Sequence, residues 1–92
     1  MNKEQAKIAI EIVREAMNRI NPYNLLEDGN DDELDSEIMS ITSQLQRCGS
    51  GRDVAHAFCR VLNSAFNEKD EPELYFKEGE IIYKALKENG IK

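Results

Sequence analysis

Apolar residues recur along this chain at steps of three and four, the spacing that places side chains on one face of an α-helix. The most regular stripe steps four, three, four and three through Leu34, Ile38, Ile41, Leu45 and Cys48. Similar stripes lie at 6–20, 54–65 and 74–86, and no strand pattern or repeat separates them. The sequence therefore predicts an all-α protein, a compact bundle of four helices with short connections.

Residues that start and stop helices set the first boundaries. The first helix is predicted to run from about Asn2 or Lys3 to Ile20, because Pro22 has no backbone donor and restricts the residue before it. Asp31 or Asp32 is expected to cap the second helix, since an aspartate side chain accepts hydrogen bonds from the first helical amides.

Glycine, serine and proline mark the later boundaries. Gly49 is suited to a left-handed helix end, and Ser50 followed by Asp53 resembles a capping box at the start of the third helix. Pro72 fits the first turn of the fourth helix, and Gly90 is its expected stop. The third helix is predicted to bury Val54, Phe58, Val61, Leu62 and Ala65.

The fourth helix has an unusually wide apolar face. It carries Leu74, Tyr75, Ile81, Ile82, Ala85 and Leu86. Glu78 projects into the middle of this face, while Phe76 and Tyr83 align on nearly the opposite side. The helix is therefore expected either to be sandwiched or to break at Gly79, where glycine costs about 1 kcal/mol relative to alanine. Glu78 is interpreted as a carboxylate at the edge of the core, with a buried acid or base as the alternative.

Two isoleucines of the first helix, Ile8 and Ile12, lie off its apolar stripe. One interpretation is that the segment 22–26 covers them. The other is a second protomer or a partner. The chain is accordingly expected to be a monomer or a weak homodimer that associates through these two residues.

Negative charge is concentrated in the run EDGNDDELDSE at residues 27–37, which holds seven of the 18 acidic residues and no basic one. The net charge is -6 over 92 residues, a length that predicts a single helical domain, 1–92. This balance disfavours nucleic acid and anionic membranes and favours a basic protein partner. Because neither a signal peptide nor a membrane span is recognisable, we expect a cytoplasmic protein with reduced cysteines.

No pattern in the sequence reaches a catalytic, cofactor or metal signature. Asp28, Asn30 and Asp32 imitate the first ligands of a calcium loop, but that match fails. Glu33 stands where the loop needs glycine, and Met39 stands where it needs glutamate. We therefore expect no enzyme activity, no cofactor and no metal.

Two weaker chemical patterns lie around the third helix. His56 and Cys59 are three residues apart and Cys48 is a conceivable third ligand, but helical spacing places His56 on the polar side with Arg60. Residues 49–52, GSGR, could bind a phosphate through backbone amides ahead of a helix. Capping of the helix is the favoured interpretation of that segment.

One stretch, NPYNLLEDGNDDELDSEIMSI, carries a resemblance to a known family. It rests on the order of Pro22, Leu25, Gly29, the cluster 32–35, Glu37, Ile38 and Ile41. This order resembles the YugE-like family, small bacterial proteins of unknown function, with Asn21 in place of the usual aspartate and Leu34 in place of tyrosine. The resemblance covers the first three helices and implies a compact, all-helical bacterial protein, without naming a substrate.

Acidic helical proteins of this size include immunity proteins, which cover a basic toxin domain with carboxylates, a likeness of size, charge and class only. We interpret the chain as a non-enzymatic interaction module of immunity or antitoxin type. Its expected partner-binding residues are Asp28, Asp31, Asp32, Glu33, Asp35 and Glu37. The alternative is a small metal-dependent or acid-base enzyme that uses the same segment, 27–37.

Overall fold

The expected helices are present in the structure, a computed structural model that describes residues 1–21 and 34–92. The elements are α1 (Lys3–Ile20), α2 (Asp35–Gln44), a 3₁₀ turn (Leu45–Arg47), α3 (Gly51–Phe66), a second 3₁₀ turn (Pro72–Tyr75) and α4 (Phe76–Glu88). No strand occurs in these two ranges, and none of their helices is long and apolar enough to cross a membrane. The radius of gyration is 12.3 Å, against about 12 Å for a compact domain of this length. The predicted all-α bundle is confirmed.

Helix α1 begins and ends where the sequence predicts. Asn2 Oδ1 accepts a hydrogen bond from the Gln5 amide at 2.8 Å, and Gln5 Oε1 accepts one from the Asn2 amide at 3.1 Å. Asn21 follows the helix in the left-handed conformation, with φ of 44°, and donates its N–H to the Met17 carbonyl. Asparagine adopts this conformation more readily than most residues. The buried residues of α1 are Ala9, Val13, Ala16 and Met17.

Helix α2 begins later than predicted. It starts at Asp35 with Leu34 at the N-cap and no side-chain cap, and the expected caps, Asp31 and Asp32, lie outside the described residues. The Leu34 side chain is buried in the core. Hydrophobic packing, and not a side-chain hydrogen bond, therefore fixes the residue at which the helix starts. Asp35 and Glu37 in the first turn still complement the helix dipole. The apolar stripe is confirmed, with Leu34, Ile38, Ile41, Leu45 and Cys48 all buried.

The connection into α3 confirms one prediction and corrects another. Gly49 does not adopt the expected left-handed conformation, because the 3₁₀ turn before it ends in an extended residue, Cys48. Ser50 caps α3 as predicted, and its Oγ accepts a hydrogen bond from the Asp53 amide at 3.2 Å. Asp53 Oδ2 accepts the Gly49 N–H at 2.8 Å. In a capping box this side chain would accept the N–H of the cap residue, Ser50, whereas here it accepts the N–H of the residue before it.

The buried side of α3 differs from the predicted one at its C-terminal end. Val54, Phe58 and Leu62 are fully buried as expected, whereas Val61 is half-buried and Ala65 is exposed. Three residues outside the predicted face are buried: Ala55, Ala57 and Cys59. Helix α3 packs against both α2 and α4, so its contact surface is broad.

The predicted apolar face of the fourth helix is confirmed in part, because Tyr75, Ile82 and Leu86 are buried. Leu74 is 68% exposed and Ile81 is 38% exposed, whereas Phe76 and Tyr83 are half-buried and pack against the core. Leu74 lies in the 3₁₀ turn at Pro72–Tyr75 and not in α4 itself. Such a turn has about three residues per turn instead of about 3.6, so it shifts the direction of side chains relative to a continuous α-helix.

Gly79 does not break α4 but allows it to approach α3. It is buried inside a continuous helix. A methyl group at Gly79 would overlap the carbonyl oxygen of Gly51 and lie 3.0 Å from Ala55 Cβ. A methyl group at Gly51 would lie 2.8 Å from the Cα of Glu80. The two glycines therefore set the distance between the helices.

Glu78 is the edge carboxylate that the sequence favours. Its side chain is 16% exposed, and its Oε1 atom lies 2.9 Å from both Nε and Nη2 of Arg19 on α1. This ion pair joins α1 to α4. The alternative, a buried acid or base, stays a prediction.

Candidate functional site

The structure places two of the six predicted partner-binding residues, Asp35 and Glu37, in the first turn of α2. The other four lie outside the described residues: Asp28, Asp31, Asp32 and Glu33. Asp35 Oδ1 accepts a hydrogen bond from Arg14 Nη1 at 2.8 Å, so its charge helps to join α2 to α1. Glu37 has no ion pair of this kind within the described ranges.

Glu37 has an unsatisfied carboxylate oxygen beneath the protein surface. Its Oε2 atom is buried and has no hydrogen-bond partner in the described part of the chain. An unpaired buried acceptor costs about 1 to 3 kcal/mol, and more when the group is charged. A donor of another molecule would remove this cost if the side chains that cover the atom moved aside. Lysine and arginine side chains supply such donors together with the opposite charge.

Glu37 lies in a surface groove of about 340 Å³ between α2 and α3. The groove is lined by Ser36, Glu37, Ser40, Gln44, Arg60, Val61, Ser64 and Ala65. The serine hydroxyls can donate and accept hydrogen bonds, while Val61 and Ala65 offer apolar contact. The groove thus combines the carboxylate of Glu37 and the guanidinium of Arg60 with small polar and aliphatic side chains. Such a lining offers a protein segment polar, charged and apolar contacts.

A polar pocket of about 310 Å³ adjoins the groove near the C-terminal end of α2. It is lined by Gln44, Arg47, Cys48, Asp53, His56 and Arg60. Arg60 Nη2 donates a hydrogen bond to Gln44 Oε1 at 2.9 Å, and both residues line the groove as well as the pocket. The groove therefore contains Glu37 and Arg60, and the pocket contains Asp53, Arg47 and Arg60.

Cysteine and histidine are not arranged as a nucleophile and its base. Cys59 is buried, and its Sγ donates a hydrogen bond to the carbonyl of Asp70 at 3.1 Å. His56 instead shares a pocket with Cys48, whose Sγ donates to the carbonyl of Gln44 at 3.4 Å. Burial raises the pKa of the Cys48 thiol, the opposite of what an activated nucleophile requires. No three His, Cys, Asp or Glu side chains of the described residues are grouped to hold a metal.

Residues 49–52 act as a helix cap. The amides of Gly49 and Asp53 already donate to the Asp53 carboxylate and to the Ser50 hydroxyl. The Arg52 guanidinium lies over the ring of Phe76, 5.1 Å from its centre. These contacts support the favoured interpretation of the segment as a cap.

No protein-family model, curated protein or solved structure matches this chain. The resemblance of residues 22–41 to the YugE-like family therefore stays a prediction. The same holds for a homodimer through Ile8 and Ile12. Both residues are half-buried within the chain, and Ile12 packs against the hydrophobic core.

Sequence reasoning missed both cavities. Helical spacing does place His56 and Arg60 on the same polar side of α3, and these are two of the six residues that line the pocket. Arg47 comes from the turn after α2, so only the packing of α2 against α3 brings it there. The apolar spacing of α3 predicts that Val61 and Ala65 belong to the core, although they line the groove.

We expect the thiols of Cys48 and Cys59 to react slowly with a disulfide reagent in the native protein near pH 7. Burial raises the pKa of both, so the thiolate fraction and the access of the reagent are both low. After unfolding without reductant, the reagent should titrate both cysteines of the chain. The Cys48→Ser variant serves as the control and should lose one of them. Rapid native reaction, or a missing thiol in the unfolded wild type, would contradict the expectation.

Proposed function

We propose that this protein is a non-enzymatic interaction module of immunity or antitoxin type that binds a basic protein partner. The binding surface consists of the acidic segment 27–37 and the groove between α2 and α3. The observation that carries the proposal is the buried Oε2 atom of Glu37, which has no hydrogen-bond partner among the described residues. A lysine or arginine of the partner supplies the missing donor.

The distribution of charge supports a basic partner. The chain has a net charge of -6, and seven carboxylates fall within residues 27–37. Such a concentration of one sign accelerates association with a surface of the opposite sign and makes the rate depend on salt. Helix capping requires only one or two of these carboxylates, and close packing of the rest is repulsive. Binding to a basic partner gives the remaining carboxylates a role.

The groove supports a protein rather than a free cation as the ligand. Serine hydroxyls and partly exposed aliphatic groups surround Glu37 and provide contacts for a backbone and for neighbouring side chains. The resemblance to a bacterial family is compatible with an immunity or antitoxin role, and so is a cytoplasmic location. In the genome that encodes the chain, an adjacent toxin-like reading frame would identify the partner.

The Glu37→Gln variant tests the proposal. Once a basic protein has been recovered by cross-linking and purified, its Kd for the variant should be at least about tenfold higher than for the wild type. The dependence of Kd on salt should also become weaker, because one charge pair is lost. The Tm of the variant should remain the same or rise slightly, since a buried unpaired charge is removed. Titration calorimetry and thermal unfolding measure these effects.

Glu88→Gln is the matched control, because it removes the same charge from an exposed position on α4. It should change Kd by less than about twofold. A second variant with Asp28→Asn, Asp31→Asn and Glu33→Gln should weaken binding without lowering Tm. Equal affinity of wild type and Glu37→Gln would contradict the role of the groove. A large Tm increase with magnesium, calcium or manganese would favour the enzyme alternative instead.

A further inference from the structure

The polar pocket beside the groove has a charge that is unusual for this acidic chain. Two arginines, Arg47 from the 3₁₀ turn and Arg60 from α3, line a cavity of about 310 Å³. Neither forms an ion pair with a carboxylate in the described part of the chain. His56 lies one helical turn before Arg60 on α3 and lines the same cavity. Two guanidinium groups and one imidazole therefore line the cavity, contributed by two elements.

The arginines retain donors for a ligand. Arg60 uses Nη2 to bond Gln44 at 2.9 Å, which holds the side chain across the α2–α3 boundary. A guanidinium has five N–H donors, so most of those on Arg60 are not used by this bond. Its planar, forked shape matches two oxygens of a carboxylate or phosphate.

The other groups of the pocket do not cancel this positive charge. Asp53 is the one carboxylate among the lining residues, and its Oδ2 atom accepts the Gly49 N–H at 2.8 Å in the cap of α3. Cys48 donates its S–H to the carbonyl of Gln44, and burial raises its pKa, so it carries no charge near pH 7. The lining therefore holds two guanidinium groups and one carboxylate, which leaves an excess of positive charge.

We infer that the pocket formed by Arg47, His56 and Arg60 binds a compact phosphate-class oxyanion. Two guanidiniums on different elements match a dianion with several acceptor oxygens better than they match a single carboxylate. The volume lies at the lower end of the range for small-ligand sites, so inorganic phosphate or a small phosphomonoester fits. The inference does not rest on Glu37, which does not line this pocket, although Gln44 and Arg60 line both cavities.

The test is a titration of the ¹⁵N-labelled full chain with sodium phosphate, followed by amide and arginine Nε resonances. Sodium chloride at matched ionic strength is the reference. Phosphate should produce saturable shifts at Arg47, His56 and Arg60 that chloride does not produce. Arg47→Gln should weaken binding about tenfold through the loss of charge-assisted hydrogen bonds. A parallel titration with glycerol phosphate distinguishes a phosphomonoester from free phosphate, according to which binds more tightly.

Arg52→Gln is the matched control, because it removes the same charge from α3 outside the pocket lining. It should retain the wild-type phosphate affinity within about twofold. Equal shifts with phosphate and chloride, or equal weakening by Arg52→Gln and Arg47→Gln, would overturn the inference. Arg60→Gln should also weaken binding. Loss of the Arg60–Gln44 bond could destabilise the Arg60→Gln variant. Arg47 is exposed, so Arg47→Gln tests the site without that complication.

Discussion

Replacing Ile41 by alanine is expected to lower the free energy of unfolding by about 2 to 5 kcal/mol. Ile41 lies in the middle of α2, is 0% exposed and belongs to the hydrophobic core. The substitution removes apolar contacts and leaves a cavity that neighbouring helices fill only in part. Equilibrium unfolding in urea, followed by the helical circular dichroism signal, measures the change.

Met39→Ala is the matched control for Ile41→Ala. Met39 lies on the same helix but is 53% exposed, so its truncation should change stability by less than about 0.5 kcal/mol. Comparable losses for the two variants would mean that α2 does not present this face to the core. A loss below about 0.5 kcal/mol for Ile41→Ala would contradict its burial directly.

Gly79→Ala is expected to destabilise the protein by about 1 to 3 kcal/mol, although alanine favours an isolated helix by about 1 kcal/mol. The added methyl group would overlap the carbonyl oxygen of Gly51 and press on Ala55. Because the obstructing atoms include backbone, a side-chain rotation cannot relieve the overlap. Helices α3 and α4 must move apart, which loosens the core between them. Urea unfolding of the variant measures the loss.

Gly49→Ala is the matched control for Gly79→Ala, and it is not expected to destabilise the protein. Its φ is not positive, and a methyl group there would meet only Asp53 Oδ2, at 3.6 Å. The substitution should leave stability unchanged or raise it by about 0.4 to 1 kcal/mol, because it restricts the unfolded chain. A Gly79→Ala variant as stable as Gly49→Ala would show that the two helices are not in close contact.

The described helices and several of their ends could be predicted because the causes are local. Asn2 and Gln5 cap α1 through bonds that span three residues, and Ser50 caps α3 in the same way. The four-three spacing from Leu34 to Cys48 specifies one face of α2 wherever that helix packs. Such interactions are completed within a turn or two of the chain.

The buried positions of Tyr75, Ile82 and Leu86 could be predicted from helical spacing, whereas the partial burial of Phe76 and Tyr83 could not. Their burial depends on the neighbouring elements, and Gly79 has a role only where α3 approaches. A glycine within a helical pattern indicates either a weak point or a close contact. The neighbouring backbone decides between them.

In the candidate site too, some properties follow from the sequence and others only from the packing of the helices. The sequence alone determined that the chain is acidic, that its charge is concentrated at 27–37 and that Glu37 belongs to that run. The tertiary structure decided that Glu37 has a buried oxygen in a groove and that Arg47 and Arg60 share a pocket. Composition and helical period are properties of the chain itself. Whether a side chain finds a partner depends on which distant residues the packed helices bring beside it.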